Sequence, residues 1–181
     1  MKRIYIYIQM TEKIFILQGM CYSGKSTLGK MIADTIGLPF LDSRDLFFKV
    51  HGTSEIEFLK EHGREKFIEA EKKSLSHEFK GVFSLGGSAV YYHDEMRLLK
   101  EKYNIIWLDV DYDVIVRRKE NEANERPIVY PDGIENFKQL YEQRRKLYKN
   151  YYDYKIEVHE DEDIKKTVKK ILISLVNDKK N

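Results

Sequence analysis

One loop near the N-terminus holds the residues whose types and spacing could do chemistry. Residues 19–27 read Gly-Met-Cys-Tyr-Ser-Gly-Lys-Ser-Thr, the G-x-x-x-x-G-K-S-T pattern of a phosphate-binding loop. Its two glycines let successive backbone N–H groups turn toward phosphate oxygens, and a following helix adds the positive end of its dipole. The motif therefore predicts a site for the phosphates of a nucleoside triphosphate. An ordinary glycine-rich turn is the alternative, and the strand before the loop and the helix after it argue against that alternative.

The side chains of this loop have separate predicted roles. Lys25 would neutralise the β- and γ-phosphates, and Ser26 would bind Mg²⁺. Cys21 fills a variable position, where a small buried thiol without chemistry is the simpler interpretation. The loop residues expected to contact the nucleotide are Gly19, Tyr22, Ser23, Gly24, Lys25, Ser26 and Thr27.

Asp42 is the candidate acid of the same site. It follows a short apolar run, and the carboxyl ends of parallel strands meet at one edge of a sheet, on the side of the phosphate loop. A carboxylate there can hold Mg²⁺ directly or through water. Capping the next helix is the alternative role for Asp42.

Two glycines and two arginines beyond the phosphate loop could bind either the acceptor or the transferred phosphoryl group. Gly86 and Gly87 permit close approach to a ligand, although a plain tight turn is equally consistent with the sequence. Arg144 shares the apolar face of a predicted helix, so it either binds an anion there or reaches out to solvent or to an acid. Arg126 lies in a polar segment and could close over the γ-phosphate, whereas a solvated loop arginine is the ordinary alternative.

The elements that must position these residues alternate along the chain. Apolar runs predict strands at 14–18, 39–41, 82–85, 105–109 and 154–158. Helical patterns fall at 25–36, 43–51, 54–61, 64–80, 94–102, 112–120, 134–152 and 164–176. Alternation of this kind predicts a single α/β domain over residues 1–181, with a parallel sheet and helices on both faces.

Composition narrows the classes of partner. Lys and Arg total 32 and Asp and Glu total 30, so a net charge of +2 offers no electrostatic footprint for nucleic acid. One cysteine cannot form an internal disulfide, and the apolar run at residues 4–8 is too short for a signal peptide or a membrane span. We expect a cytoplasmic monomer with no nucleic-acid or membrane partner, and we leave the role of residues 1–9 open.

From Lys13 to about Val176 the order of landmarks resembles the shikimate kinase family, a nucleoside-monophosphate-kinase-like branch of the P-loop NTPases. Beyond the phosphate loop, the motifs that carry the resemblance are Phe40-Leu41-Asp42, Leu85-Gly86-Gly87, Ile106-Trp107-Leu108-Asp109, Arg126-Pro127 and Arg144 followed by Tyr148. The resemblance implies a three-layer sandwich around a five-stranded parallel sheet. It also implies a helical acceptor-binding segment at about residues 42–80 and a lid at about residues 120–133.

The same resemblance assigns roles to individual residues. It implies ATP and Mg²⁺, with Lys25, Asp42 and Arg126 as catalytic residues and Ser26 and Asp42 as metal ligands. Arg118 resembles an arginine that packs against adenine in the family. Gly86, Gly87 and Arg144 would bind the acceptor.

Three positions depart from the family pattern. Arg44 stands where the family has the acid that binds the substrate's hydroxyls, Ile68 stands where it has an arginine for the substrate's carboxylate, and Ser88 replaces a third glycine. Asp45 could replace the acid only if the start of its helix shifts, because one residue along a helix points roughly 100° away. The changes make shikimate itself doubtful and predict an acceptor with an acidic group, bound by Arg44 and Arg144.

The prediction is therefore an ATP- and Mg²⁺-dependent kinase that phosphorylates a hydroxyl of a small polar, acidic metabolite. Genuine shikimate kinase activity is possible if Asp45 supplies the missing carboxylate. The alternative from another class is an ATP-binding switch or scaffold that has lost transfer activity.

Overall fold

A computed structural model describes residues 14–122, 128–159 and 163–177. The strands in these ranges are β1 (Phe15–Gln18), β2 (Phe40–Asp42), β3 (Val82–Ser84), β4 (Asn104–Val110) and β5 (Tyr154–Val158). The α-helices are α1 (Lys25–Ile36), α2 (Ser43–His51), α3 (Glu55–Leu75), α4 (His93–Lys102), α5 (Tyr112–Glu120), α6 (Phe137–Tyr148) and α7 (Ile164–Asn177), and a 3₁₀ turn covers Ala89–Tyr91. None of the helices in these ranges has both the length and the apolar character needed to cross a bilayer.

The strands form one parallel sheet in the order β2-β3-β1-β4-β5. The predicted five-stranded parallel α/β fold is therefore confirmed. Because β1 pairs with β3 on one side and with β4 on the other, the order of connections reverses at β1. A crevice opens at the carboxyl ends of strands where such a reversal occurs, and ligands bind there in open α/β sheets.

Both faces of the sheet are covered, which explains why its central strands are continuously apolar. Alternate residues of β1 point to opposite faces: Phe15 and Leu17 pack in one buried cluster, and Ile16 packs in the other. The first cluster includes Ile32 of α1, and the second includes Met96 of α4. The phosphate loop therefore leaves a strand that is fixed by packing on both sides.

Helix α3 differs from the prediction of two separate helices. It runs from Glu55 to Leu75 and is kinked at Gly63, whose φ of 79° and ψ of 176° are not helical. Ser54 and Glu57 form a capping box at its start. The boundary between the predicted helices was thus located correctly as a kink, but the second helix ends five residues before the predicted Lys80, since Ser76 and His77 form a turn.

Candidate active site

The phosphate loop is built from backbone conformations that ordinary residues avoid. Gly19 has φ 148° and Gly24 has φ 90°, and Tyr22 between them has φ 64° although it is not glycine. The curl brings carbonyl groups over the start of α1, where Lys25 Nζ donates hydrogen bonds to Gly19 O and Met20 O, both at 2.8 Å. The Lys25 ammonium is thereby held inside the loop that the sequence assigned to phosphates.

Asp42 is the meeting point of the phosphate loop and helix α2. Ser26 Oγ donates to Asp42 Oδ2 at 2.5 Å, and the Arg44 backbone N–H donates to Oδ1 at 3.1 Å, which caps α2. Arg44 Nε lies 2.9 Å from the same Oδ1. Burial by itself would raise the pKa of Asp42, but the hydrogen bonds from Arg44 and Ser26 outweigh it and hold the pKa below its ordinary value. The structure thus shows Asp42 as a helix cap whose carboxylate also meets Ser26, and its role as a Mg²⁺ ligand stays a prediction.

The pair formed by Ser26 and Asp42 fits a magnesium ion. Its oxygens are of the type that Mg²⁺ prefers, and Mg²⁺ in phosphoryl-transfer sites takes one or two protein ligands, with phosphates and water completing the octahedron. The described ranges contain no group of three or more His, Cys, Asp or Glu side chains that could hold a metal by themselves.

A cleft of about 500 Å³ lies at the carboxyl ends of the strands. Its lining includes most of the predicted site residues, namely Tyr22, Ser23, Gly24, Lys25, Ser26, Thr27, Asp42, Arg44, Gly86, Gly87, Arg118 and Arg144. Gly19 is not part of this lining and lies against Leu108, whose carbonyl oxygen would be 2.8 Å from a Cβ at Gly19. Arg126 lies outside the described residues.

Arg118 lies against the outer side of the phosphate loop. Its Nη1 donates to Tyr22 O at 3.3 Å and to Ser23 O at 3.2 Å. Val158, Ile164 and Thr167 line the same cleft. A guanidinium beside the loop and apolar side chains in one cleft provide the kind of surface on which a flat base can stack.

Arg144 is buried beside the glycine pair. Its side chain is on α6, with a residue exposure of 3%, and its guanidinium lies over the Tyr91 ring at 5.3 Å. Nη2 donates to Val129 O at 3.3 Å, whereas the buried Nε has no hydrogen-bond partner in the described structure. A buried cation with an unsatisfied donor is costly unless an anion joins it. Arg144 is therefore the strongest anion-binding candidate in the cleft.

Two hydrogen bonds fix Arg144 relative to the sheet. Tyr148, one turn later on α6, donates from its hydroxyl to Gly87 O at 2.9 Å, and Gln18 Nε2 at the end of β1 donates to Tyr148 O at 3.1 Å. A Cβ placed on Gly87 would lie 3.1 Å from Arg144 Nη1 and 3.3 Å from Cys21 N. A side chain at residue 87 would therefore press on both Arg144 and the phosphate loop.

Glu71 is a site residue that the sequence reasoning missed. It lines the cleft from α3, one turn after Phe67, and accepts hydrogen bonds from Ser88 Oγ at 2.8 Å and from the Tyr92 hydroxyl. Burial raises the pKa of Glu71, and the hydrogen bonds from Tyr92 and Ser88 offset only part of that effect. The signal in the sequence was an acid at helical spacing from the buried Phe67, on the face that turns inward.

Asp45 is not placed to replace the acid missing at residue 44. It is exposed on α2 and is not among the described residues that line the cleft. Ile68, which stands at the position of the family's second arginine, packs with the buried cluster on one face of the sheet and is also absent from that described lining. Neither residue therefore contributes to the described lining of the cleft.

Comparisons with known proteins agree with this geometry. The sequence model described as "Shikimate kinase" matches residues 22–176. A shikimate kinase from Corynebacterium efficiens is 32% identical over 151 residues, which cover 81% of this chain and 88% of the relative. The crystal structure of a shikimate kinase from Bacteroides thetaiotaomicron superposes with a TM-score of 0.74 at 26% identity and covers 90% of this chain and 98% of that one. Shikimate kinase from Acinetobacter baumannii, solved in complex with shikimate, shares the fold with a TM-score of 0.84 at 23% identity, covering 97% and 99% of the two chains.

Proposed function

The chain belongs to the shikimate kinase family, and from that premise we propose that its acceptor is a small hydroxylated carboxylic acid. Membership of the family establishes the general reaction, which is ATP-dependent phosphorylation of an alcohol group. The proposal adds the acidic character of the acceptor and the roles of individual residues. The inactive ATP-binding module considered above receives no support from these relatives.

The buried guanidinium of Arg144 is the observation that carries the proposal. Among the described residues its Nε has no hydrogen-bond partner, and its Nη1 lies beside Gly87, where the phosphate loop also approaches. A carboxylate can accept two parallel hydrogen bonds from a guanidinium, which fixes the orientation of the acceptor as well as its position. Arg144 lines the same cleft as the phosphate loop, so the acceptor and the nucleotide would be bound next to each other.

The nucleotide side of the proposal uses residues of one loop and its neighbours. Lys25 neutralises charge on the β- and γ-phosphates, the loop amides bind phosphate oxygens, and Arg118 packs against the base. Ser26 and Asp42 would hold Mg²⁺, which when bound neutralises phosphate charge during transfer. We also keep Arg126 as the lid residue that stabilises the transferred group. The lid at residues 120–133, the acceptor segment at residues 42–80 and the monomeric, cytoplasmic state remain predictions.

Arg44 and Ile68 lead us to propose an acceptor other than shikimate. Arg44 removes a carboxylate that would bind substrate hydroxyls, and Ile68 removes a positive charge from the site. Because a hydroxyl left without its partner in a closed site lowers transfer steeply, the preferred acceptor should differ from shikimate in its hydroxyl pattern. The exposed half of the Arg44 side chain is available for a second anionic group.

The direct test measures ADP release by the purified protein with Mg-ATP. Shikimate is compared with a panel of hydroxylated acids, sugars and nucleosides, and Lys25→Ala serves as the blank for contaminating ATPase. We expect Lys25-dependent turnover with hydroxylated acids and none with neutral sugars. Turnover confined to sugars or nucleosides, or no turnover with any acceptor, would contradict the proposal.

A reciprocal pair of variants tests the two sides of the cleft. Arg144→Ala should raise the KM of the acceptor roughly 10- to 100-fold, the range expected for lost charged hydrogen bonds, and leave the KM of ATP within about twofold. Arg118→Ala should raise the KM of ATP and leave the KM of the acceptor unchanged. Equal effects of both variants on both substrates would show that the division of the cleft is wrong.

A further inference from the structure

We propose that Glu71 binds the reacting hydroxyl of the acceptor and takes its proton, in place of the carboxylate that this chain lacks at Arg44. The inference rests on the proposed function, because it concerns the same acceptor and the same transfer. It is specific to a chain in which residue 44 is basic and Asp45 points away from the cleft.

Glu71 is the best placed of the acidic side chains that line the cleft. The others in the described lining are Asp42, Glu55 and Glu122. Asp42 is already bound to Ser26 and Arg44 and caps α2, and Glu122 is exposed at the mouth. Glu55 and Glu71 both line a small pocket beside Gly86, but only Glu71 is among the atoms nearest to a Cβ placed on Gly86, with Oε1 at 3.4 Å. Position and prior engagement therefore leave Glu71.

Glu71 and Arg144 flank the glycine pair. A Cβ on Gly86 would lie 3.4 Å from Glu71 Oε1, and a Cβ on Gly87 would lie 3.1 Å from Arg144 Nη1. A small acceptor resting on this turn can therefore meet a guanidinium at one end and a carboxylate at the other. This is the arrangement that a hydroxylated acid requires.

The Glu71 carboxylate is held rigidly by two hydroxyl groups. Ser88 Oγ donates to Oε1 at 2.8 Å and lies 3.1 Å from Oε2, and the Tyr92 hydroxyl donates to Oε2. Burial and the adjacent Glu71 charge raise the pKa of Tyr92, so its phenol stays a donor across the working pH range. A carboxylate offers about four acceptor sites, so these donors leave room for a substrate hydroxyl. Ser88, which replaces a glycine of the family pattern, thus supplies a support for Glu71.

The proposed transfer forms one bond and breaks one bond at the γ-phosphorus. The acceptor oxygen forms a bond to the γ-phosphorus while the bond from that phosphorus to the β,γ-bridging oxygen breaks, and ADP leaves with the electron pair. The proton of the acceptor hydroxyl moves to Glu71, which becomes a neutral acid and later returns the proton to solvent through the cleft. Burial raises the pKa of Glu71 above its ordinary value, which makes the carboxylate a better proton acceptor.

The test is Glu71→Gln, measured with Mg-ATP and whichever panel acid gives the highest Lys25-dependent turnover. We expect kcat to fall roughly 100-fold, at the low end of the range for a general base because a loose transition state needs limited base help. The KM of ATP should stay within about twofold, and the acidic limb of the pH profile of kcat should disappear. Glu69→Gln, on the exposed side of the same helix, is the matched control and should behave as the wild type.

Ser88→Ala provides a second variant in which Glu71 itself is intact. The hydrogen bond from Ser88 lowers the pKa of Glu71, so its loss should move the acidic limb of kcat to higher pH, by roughly one unit. A Glu71→Gln enzyme with kcat within threefold of the wild type, or with its acidic limb retained, overturns the inference while leaving the proposed function intact. Absence of Lys25-dependent turnover in the wild-type protein instead defeats both.

Discussion

Arg44 folds back onto Asp42, two residues before it, and forms an ion pair with Nε 2.9 Å from Oδ1. Its Nη2 also lies 3.5 Å from the Ser26 hydroxyl. The guanidinium therefore contacts both side chains that we assign to Mg²⁺. The positive charges of a guanidinium and a metal ion repel each other when one carboxylate binds both, so we expect this ion pair to weaken when the metal binds.

Arg44→Ala should lower the free Mg²⁺ concentration needed for half-maximal activity. The Arg44 side chain is 49% exposed, so the competing ion pair is worth at most about 1 kcal/mol, which corresponds to a change of about fivefold. The measurement is initial rate against free Mg²⁺ at fixed ATP. The Mg²⁺ requirement of Arg44→Lys should lie between those of the wild type and Arg44→Ala. An unchanged or higher Mg²⁺ requirement in Arg44→Ala would refute the competition between Arg44 and the metal. A raised KM for the acceptor in the same variant would additionally support an anionic contact to Arg44.

Gly87→Ala and Gly86→Ala should differ in their effect on ATP. A Cβ at Gly87 presses on Cys21 N of the phosphate loop at 3.3 Å as well as on Arg144. A Cβ at Gly86 makes ordinary contacts, 3.4 Å to Glu71 and 3.6 Å to Ser43. We expect Gly87→Ala to lose affinity for both substrates and to lower stability by about 1–3 kcal/mol.

Gly86→Ala should keep its affinity for ATP and change only its affinity for the acceptor. Binding of a fluorescent ATP analogue and thermal unfolding separate the two variants. Loss of ATP affinity in Gly86→Ala alone would be the contrary result.

At position 22 we expect the glycine variant to be more stable than the alanine variant, which is the reverse of the usual order. The Tyr22 side chain is buried, and either truncation loses that packing, but its φ of 64° favours glycine. The left-handed conformation costs an alanine about 1–2 kcal/mol, part of which is offset by the greater unfolded-state entropy of glycine. Tyr22→Gly should therefore be about 0.5–1 kcal/mol more stable than Tyr22→Ala in urea unfolding. Equal or reversed stabilities would show that the loop relaxes to another conformation.

Asp109 should contribute stability that is lost in acid. Burial would raise its pKa, but hydrogen bonds and charge from Arg145 and Lys155 hold it below the ordinary value. A depressed pKa in the folded state means that the stabilisation is present above about pH 4, the unfolded value, and disappears as the pH falls through the folded value.

Asp109→Asn should therefore cost about 1–3 kcal/mol near neutrality and progressively less below pH 4. Thermal unfolding of both proteins between pH 3 and pH 7 measures the difference. Asp113→Asn on α5, a carboxylate outside this network, is the control. A gap between Asp109→Asn and the wild type that stays constant down to pH 3 would argue against the assignment.

The fold could be predicted closely because its determinants are local. Strands β1, β3 and β4 are apolar runs that are buried on both faces of the parallel sheet, so their pattern survives in the sequence. The outer strand β5 instead alternates exposed and buried residues. The kink at Gly63 was also visible, as a break between two helical patterns. The start of α6 was placed too early, at 134 rather than at Phe137, because the cap formed by Asn136 is recognised only from its hydrogen bond to Gln139 N.

The sequence predicted most residues of the candidate site but not the contacts between residues that are distant along the chain. Residues 19–27 form a complete motif, whereas Glu71 gains its meaning from Ser88 and Tyr92, which reach it across the fold. The pairing of Arg44 with Asp42 depends on the conformation of one long side chain, which no pattern specifies. The acidic acceptor remains a proposal, and its main support is the buried guanidinium of Arg144.

The hydrogen bonds that join Gln18, Tyr148 and Gly87 fix the distance between the phosphate loop and the helix that carries Arg144. They tie the helix of Arg144 to the strand that ends in the phosphate loop, so the gap between the transferred phosphoryl group and the acceptor's anion is set by the core. Acceptors are then sorted by the span between their hydroxyl and their carboxylate. In a homologous series of hydroxy acids that differ by one methylene, the rate of phosphorylation should therefore have a single sharp optimum at one chain length.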